Sequence, residues 1–264
     1  MTFANSERSW RRRGPLLSGS GKRFRCIALD AVGTLIYSEP SVAAVYALYG
    51  QHFGSQLTAA AVRLRLADAF CRTDELATKK FGEPGRTNEE FERHFWRQVV
   101  QDVLPDVTEP SACFDALFEH FGRPESWRCF DDVASTLKEL LNRGYRILIA
   151  SNFDARLNRV CDGLSELRDV RCRVISSLVG FRKTHRGFYT AVVEAAECEP
   201  GEVLMVGDDL VNDVESARAA GITAVHLRRE FVVPTAGDSM QSTVDENRLD
   251  GELRALSELL EMLP

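Results

Sequence analysis

Short apolar runs that break off abruptly into polar residues constrain this chain more than any other feature. FRCIALD (24–30) gives way to AVGTL, YRILIAS (145–151) to NFD, and EVLMVGD (202–208) to DLVND; ITAVHL (222–227) closes the series, and RCRVISS (171–177) is a weaker member. Runs of this length, rich in Ile, Val and Leu, read as parallel strands buried on both faces. The stretches between them read as helices. DDVASTLKELLNRG (131–144) begins with an Asp N-cap and stops at Gly144, GFYTAVVEAAE (187–197) is amphipathic, and DVESARAAG (213–221) ends at Gly221. The pattern predicts a doubly wound α/β core whose ligands lie beyond the carboxyl ends of the strands.

The strand pattern is interrupted from about residue 38 to 125. Only helix-like segments occur there: SVAAVYALYGQHF (41–53), TAAAVRLRLADAFCRTDELATKK (58–80), NEEFERHFWRQVVQDVL (88–104) and SACFDALFEHF (111–121), separated by Gly- and Pro-rich breaks. Four helices entered and left through single connections predict an inserted helical domain, poised over the strand ends as a lid. The expected division is a disordered basic tail over 1–23, a core over 24–37 and 126–264, and a helical cap over 38–125. Residues 231–251 read as a loop, and ELRALSELLEML (252–263) as a terminal helix.

Composition excludes several classes. With 264 residues, 44% hydrophobic and 27% charged, the chain has globular proportions. No charge-free apolar run approaches the ~18 residues of a membrane span. A net charge of −6 argues against a nucleic-acid binder, which needs a basic surface. That charge is uneven: residues 1–23 carry about +5 and the remainder about −11. The basic segment has no apolar stretch long enough for a secretory signal. Seven cysteines, odd in number and without a CxxC pair, read as free thiols in a reducing cytoplasm.

The strand ends carry the candidate chemistry. Asp30 ends the first run, Ser151 the second, and Asp208, Asp209 and Asp213 cluster after EVLMVG. Carboxylates brought to one sheet edge repel unless a cation sits among them, and an all-oxygen cluster suits Mg²⁺. On a tight turn near Gly33, Asp30 is also placed as a nucleophile. The competing reading makes Asp208 and Asp209 helix caps.

Asp30-Ala-Val-Gly-Thr-Leu35, the Ser151-Asn152 pair, Lys183 in GFRKTHRGF, and Gly207-Asp208-Asp209-Leu-Val-Asn-Asp213 resemble, in order and spacing, the four motifs of the haloacid dehalogenase-like (HAD) hydrolase superfamily. The inserted helices resemble its C1-class cap. The resemblance spans roughly residues 24–230 and implies a Rossmann-like core, an aspartyl nucleophile, a phosphate pocket and usually Mg²⁺. It implies that Asp30 attacks phosphorus and ligates the metal, that Ser151 and the Asn152 backbone bind the phosphoryl oxygens, and that Lys183 neutralises nucleophile and phosphate. Asp208 and Asp213, with the Val32 carbonyl, complete the implied metal site, and Gly33 and Thr34 the substrate-binding turn. Lys183 is one of only five lysines beside 28 arginines, which favours a functional role over a solvated one.

One position departs from the pattern. The family's phosphatases carry a second Asp two residues after the nucleophile, which protonates the leaving alcohol; here that residue is Val32. Loss of a general acid costs about 10²–10⁴-fold. The expected activity is therefore phosphohydrolysis or phosphoryl transfer on a small phosphorylated metabolite, weak on ordinary phosphomonoesters. Three alternatives stand beside it. The 2-haloacid dehalogenases have a similar DAYGT-like motif, need no metal and generally lack the acidic fourth motif. Phosphonoacetaldehyde hydrolases use a cap lysine, whereas Lys79 and Lys80 read as the solvated end of a helix. The third is a binding descendant with weak or no catalysis. SNFDARL (151–157) also resembles a C1-capped subfamily that lacks the second Asp. Arg63, Arg65, Arg72, Arg86 and Trp96 are candidate cap contacts to substrate, and no feature indicates an oligomeric state.

Overall fold

The computed structural model describes residues 23–70, 78–229 and 252–264. The expected basic tail except Arg23, the segment 71–77 with Cys71 and Arg72, and the loop expected at 231–251 lie outside the described residues.

The apolar runs form a parallel sheet. The strands are β1 (Cys26–Leu29), β4 (Arg146–Ser151), β5 (Cys172–Ile175), β6 (Val203–Gly207), β7 (Thr223–Leu227) and β8 (Glu252–Leu253), in the order β5-β4-β1-β6-β7-β8. Side chains of successive residues point to opposite faces, so each run supplies two layers at once. Ile27 and Leu29 of β1, Ile147 and Ile149 of β4, and Leu204 and Val206 of β6 face one layer. Cys26, Ala28, Leu148, Ala150, Val203 and Met205 face the other. The register sets Leu29 between Ile149 and Val206, so the core is continuous across the strands.

Helices cover both faces. One layer is closed by Val133, Leu137 and Leu140 of α5 (Val133–Asn142) and by Leu157 and Val160 of α6 (Arg156–Gly163). The other is closed by Phe188, Tyr189 and Val192 of α7 (Arg186–Ala196). This is the Rossmann-like α/β core. Because β1 lies between β4 and β6, chain crossovers diverge on either side of it, and the crevice at its carboxyl end is the switch point where such sheets bind ligands.

Between β1 and α5 the described residues include α1 (Val42–His52), α2 (Ala59–Phe70), α3 (Glu89–Val103) and α4 (Pro110–His120), packed around a separate apolar core. Val45, Tyr46, Val62, Leu66, Phe91, Phe95, Phe114 and Leu117 fill it. The chain enters and leaves this unit through β2 (Ile36–Ser38) and β3 (Trp127–Cys129), an antiparallel pair whose three-residue length left no strand signal in the sequence.

Two expectations are corrected. The terminal segment is not one helix: Glu252–Leu253 adds to the sheet edge beside β7, and only Leu256–Glu258 and Leu259–Met262 are helical. Edge pairing of Leu253 with Leu227 buries it in the same layer as Leu256 and Leu259. The acidic start of α5 is no side-chain cap either. The Asp132 carboxylate instead takes Arg229 at 2.9 Å and the Leu256 N–H at 2.6 Å, which ties the chain terminus to the core.

No helix among the described residues is long and apolar enough to cross a membrane.

Candidate active site

Three neighbouring strand ends set out the site. Asp30 follows β1 directly, Ser151 is the last residue of β4, and Asp208 follows β6. Lys183 arrives from the loop before α7, and its Nζ donates to Asp30 Oδ1 and, at 2.6 Å, to Asp213 Oδ1. Lys183 is 2% exposed and Asp213 1%, so this ion cluster lies beneath the sheet edge. Ser151, 3% exposed, sits at the same edge.

Asp213 is brought inward by a π-helical turn, Leu210–Glu215, a distortion often found at functional sites. Asp209 starts that turn, its Oδ1 accepting the Val211 and Asn212 N–H groups at 2.9 Å. The cap reading thus holds for Asp209, which is spent on backbone, and not for Asp208. Two glycines permit the crowding. A Cβ at Gly207 would overlap the Asp213 carboxylate, and one at Gly33 would overlap that of Asp208. Gly33 also has φ +90°, a backbone region that disfavours other residues.

Gly33 and Thr34, the expected substrate-binding turn, lie against Asp208. The Thr34 hydroxyl is fully buried and donates to Asp208 Oδ1 at 3.1 Å, while the Gly33 N–H is taken by the Ile36 carbonyl at 2.8 Å. Asn152 has a bracing role too. Its Oδ1 accepts the Lys183 backbone N–H at 2.9 Å, and its Nδ2 reaches Asn212 Oδ1 at 3.4 Å. Tyr189 and Asn212, unmarked in the sequence, complete this brace, with the Tyr189 hydroxyl donating to the Asn212 carbonyl.

Burial, foremost, pushes the Asp30 carboxyl up to about 7; Lys183 opposes this, and Asp213 and Asp208 add to it. Burial and then Asp213 also raise Asp208. For Lys183 burial works against the charge, but Asp213 and Asp30 outweigh it and hold the ammonium above its ordinary range. One cation among three crowded carboxylates leaves an excess of negative charge.

That excess fits a divalent ion. Asp30, Asp208 and Asp213 each offer an oxygen, and the three atoms lie within 4.8 Å of one another. Oxygens on opposite sides of a six-coordinate Mg²⁺ stand about 4.2 Å apart, so the cluster needs little closure to become ligands. The Val32 carbonyl is not consumed by the turn, whose bridge to Ile36 uses the Ala31 carbonyl and the Gly33 N–H.

A cavity of about 560 Å³ lies between the helical unit and the core, lined by neighbours of the cluster in sequence and not by Asp30, Lys183, Asp208 or Asp213 themselves. Val32, two residues after Asp30, and Asn152, next to Ser151, form its floor, and Trp96, Phe114 and Phe118 belong to its roof. Of the anticipated cap contacts, Arg63 and Trp96 line it. Arg65 donates to the Asp102 carbonyl at 3.2 Å and Arg86 pairs with Glu83 at 3.0 Å. Lys80 pairs with Glu90 at 2.8 Å on the surface, in keeping with a solvated helix end.

The helical unit is fastened to the lysine loop itself. Glu92 of α3, buried on the apolar side of its helix, receives Arg182; Gly85 and Thr87 bond backbone to backbone with Arg182 and Gly180. A carboxylate within the Phe91-Phe95-Val99 stripe was the available sequence signal for this contact.

The chain is similar to known proteins. Residues 24–221 match the haloacid dehalogenase-like hydrolase family. Haloacid dehalogenase-like hydrolase domain-containing protein 3 of Danio rerio is 27% identical over 211 residues, covering 78% of this chain and 86% of that protein. A defluorinating L-2-haloacid dehalogenase shares the fold with a TM-score of 0.70 at 16% identity, over 91% of this chain and 95% of that one. A HAD phosphatase from Thermococcus onnurineus does so with a TM-score of 0.60 at 22% identity, over 90% and 97%. With the motif order, the switch-point cluster and a family match over most of its length, this chain belongs to the haloacid dehalogenase-like hydrolases.

Proposed function

We propose that this hydrolase is a Mg²⁺-dependent phosphohydrolase that works through an aspartyl-phosphate on Asp30. The observation that carries the reading is the set Asp30, Asp208 and Asp213, the first and last of them buried, with Lys183 bonded into it. Phosphoryl transfer asks mainly for in-line positioning and neutralisation of charge, which this set is equipped to supply. The metal, held by Asp30, Asp208, Asp213 and the Val32 carbonyl, supplies charge neutralisation for the phosphoryl oxygens.

In this proposal Asp30 attacks phosphorus and Lys183 holds the nucleophile's orientation while screening the incoming dianion. Ser151 and the Asn152 N–H bind phosphoryl oxygens at the end of β4. The helical unit over 38–125 acts as a C1-type cap on a core of 24–37 and 126–264, covering a small-molecule substrate. The cytoplasm is part of the same proposal, on the six cysteines among the described residues, which all stand as free thiols. Displacement of halide from a 2-haloacid, the alternative, makes no use of the three-carboxylate cluster.

The test is to trap the intermediate. Brief exposure to acetyl phosphate with Mg²⁺, followed by acid quench and peptide mass spectrometry, is expected to find phosphate on Asp30. An unmodified Asp30 in protein that binds Mg²⁺ sinks the proposal.

A further inference from the structure

We infer that the cavity selects an acyl phosphate with an apolar acyl body; this rests on the phosphohydrolase reading and adds the substrate class to it. Two independent observations meet here, the lining of the cavity and the residue at its floor.

Most of the lining is hydrocarbon and aromatic ring, including Leu66, Trp96, Val100, Phe114 and Phe118. Three of its polar members are engaged within the protein, and Arg63 stands as a cation at the wall. Asn152 braces Lys183, and Ser41 Oγ accepts the Ala44 N–H at 3.4 Å. Arg156 chelates Asp154 with two bonds of 2.7 Å and also donates to the Phe118 carbonyl. Such a wall offers few partners for the hydroxyls of a sugar phosphate or the charges of a nucleotide, whose burial without hydrogen bonds is costly. At about 560 Å³ the space falls within the ~300–1,000 Å³ of small-molecule sites.

Val32 restricts the leaving group. It is 37% exposed and lines the cavity two residues from the nucleophile, where it has no proton to give. An alkoxide expelled toward it would leave unprotonated, whereas a carboxylate needs no proton. In the first step an Asp30 oxygen bonds to phosphorus as the bond from phosphorus to the acyl oxygen breaks. The electron pair departs with the acyl carboxylate. In the second, a water oxygen adds to phosphorus, the Asp30 carboxylate is released, and both water protons leave with dihydrogen phosphate.

The experiment combines binding and turnover on the full chain with Mg²⁺. By calorimetry, phenylphosphonate is expected to bind at least about 30-fold more tightly than methylphosphonate, from burial of the ring. In turnover, kcat/KM for benzoyl phosphate should exceed that for acetyl phosphate by a similar factor. It should exceed that for benzyl phosphate, with the same body and an alcohol leaving group, by about 10²-fold or more. Trp96→Ala and Phe118→Ala should each reduce the preference for benzoyl over acetyl phosphate, and a preference unchanged in both variants counts against the apolar wall. Equal binding of the two phosphonates, or equal rates for benzoyl and acetyl phosphate, overturns the apolar-body assignment and leaves the phosphohydrolase reading intact. Equal rates for benzoyl and benzyl phosphate overturn the acyl assignment. Absence of any turnover with Mg²⁺ bound sinks the underlying reading, and this inference with it.

Discussion

A single Arg182 Nη2 lies 2.7 Å from both carboxylate oxygens of Glu92, joining the residue before Lys183 to the helix that roofs the cavity. Glu92 is 2% exposed, and burial, opposed by Arg182, raises its carboxyl. Glu89, one turn end away, accepts the Ala155 N–H at 2.9 Å and the Ser177 hydroxyl, so the start of α3 is anchored to the core at two points.

Breaking that pair strands a buried charge. Glu92→Ala and Arg182→Ala are each expected to lower unfolding free energy by about 3–5 kcal/mol, measured by urea titration. The double change Glu92→Met with Arg182→Met should lie within about 1 kcal/mol of wild type or above it, because apolar pairs replace buried ion pairs at little cost. A double variant as unstable as the singles refutes this account.

Lys183 Nζ is bonded to Asp30 and Asp213 together. Lys183→Met is expected to cut benzoyl phosphate turnover by about 10²–10³-fold while the circular dichroism spectrum is kept, since a preorganised charge is removed from the transition state. Turnover within tenfold of wild type counts against the proposed role.

The cavity floor accommodates an acid. Val32→Asp should raise kcat/KM for benzyl phosphate by about 10²–10⁴-fold and leave benzoyl phosphate nearly unchanged, because only the alcohol benefits from a proton. Equal gains for both substrates speak for an electrostatic or metal effect instead.

Asp30 gives a pH signature in the metal-free protein. Its carboxyl titrates at about 7 when folded against 3.8 when unfolded, so between these values the native state holds the extra proton. Stability from this group is therefore greatest below pH 3.8 and is lost as pH rises toward 7. The stability of Asp30→Asn relative to wild type is expected to increase from pH 4 to 7, read by urea midpoints in EDTA. Saturating Mg²⁺ should stabilise wild type most at the high end of that window, since the ligand form is the carboxylate. A difference that is flat or falling with pH rules out the raised Asp30 carboxyl.

Much of this was legible locally. The strand runs, the helix stops at Gly144 and Gly221, and the order of Asp30, Ser151, Lys183 and Asp208-Asp213 depend on period, caps and spacing, which neighbouring residues carry by themselves. The bond from the Thr34 hydroxyl to Asp208 is not legible in this way, because the two residues are 174 apart and no local pattern reports such a pair. The terminal segment was misjudged for a similar reason: its helical spacing was real, but the β7 edge offered Leu253 unpaired backbone groups.

The amino-acid sequence by itself determined the α/β class, the acidic strand ends and the valine two residues after Asp30, because each is written in residue type and short-range order. Only the tertiary structure decided that Asp209 caps a turn while Asp213 joins the cluster, that Glu92 fastens the helical unit to the lysine loop, and that apolar side chains face Val32 across a cavity. Those are long-range outcomes. They follow from which faces the packed core brings together, and from the need of every buried charge to find a partner.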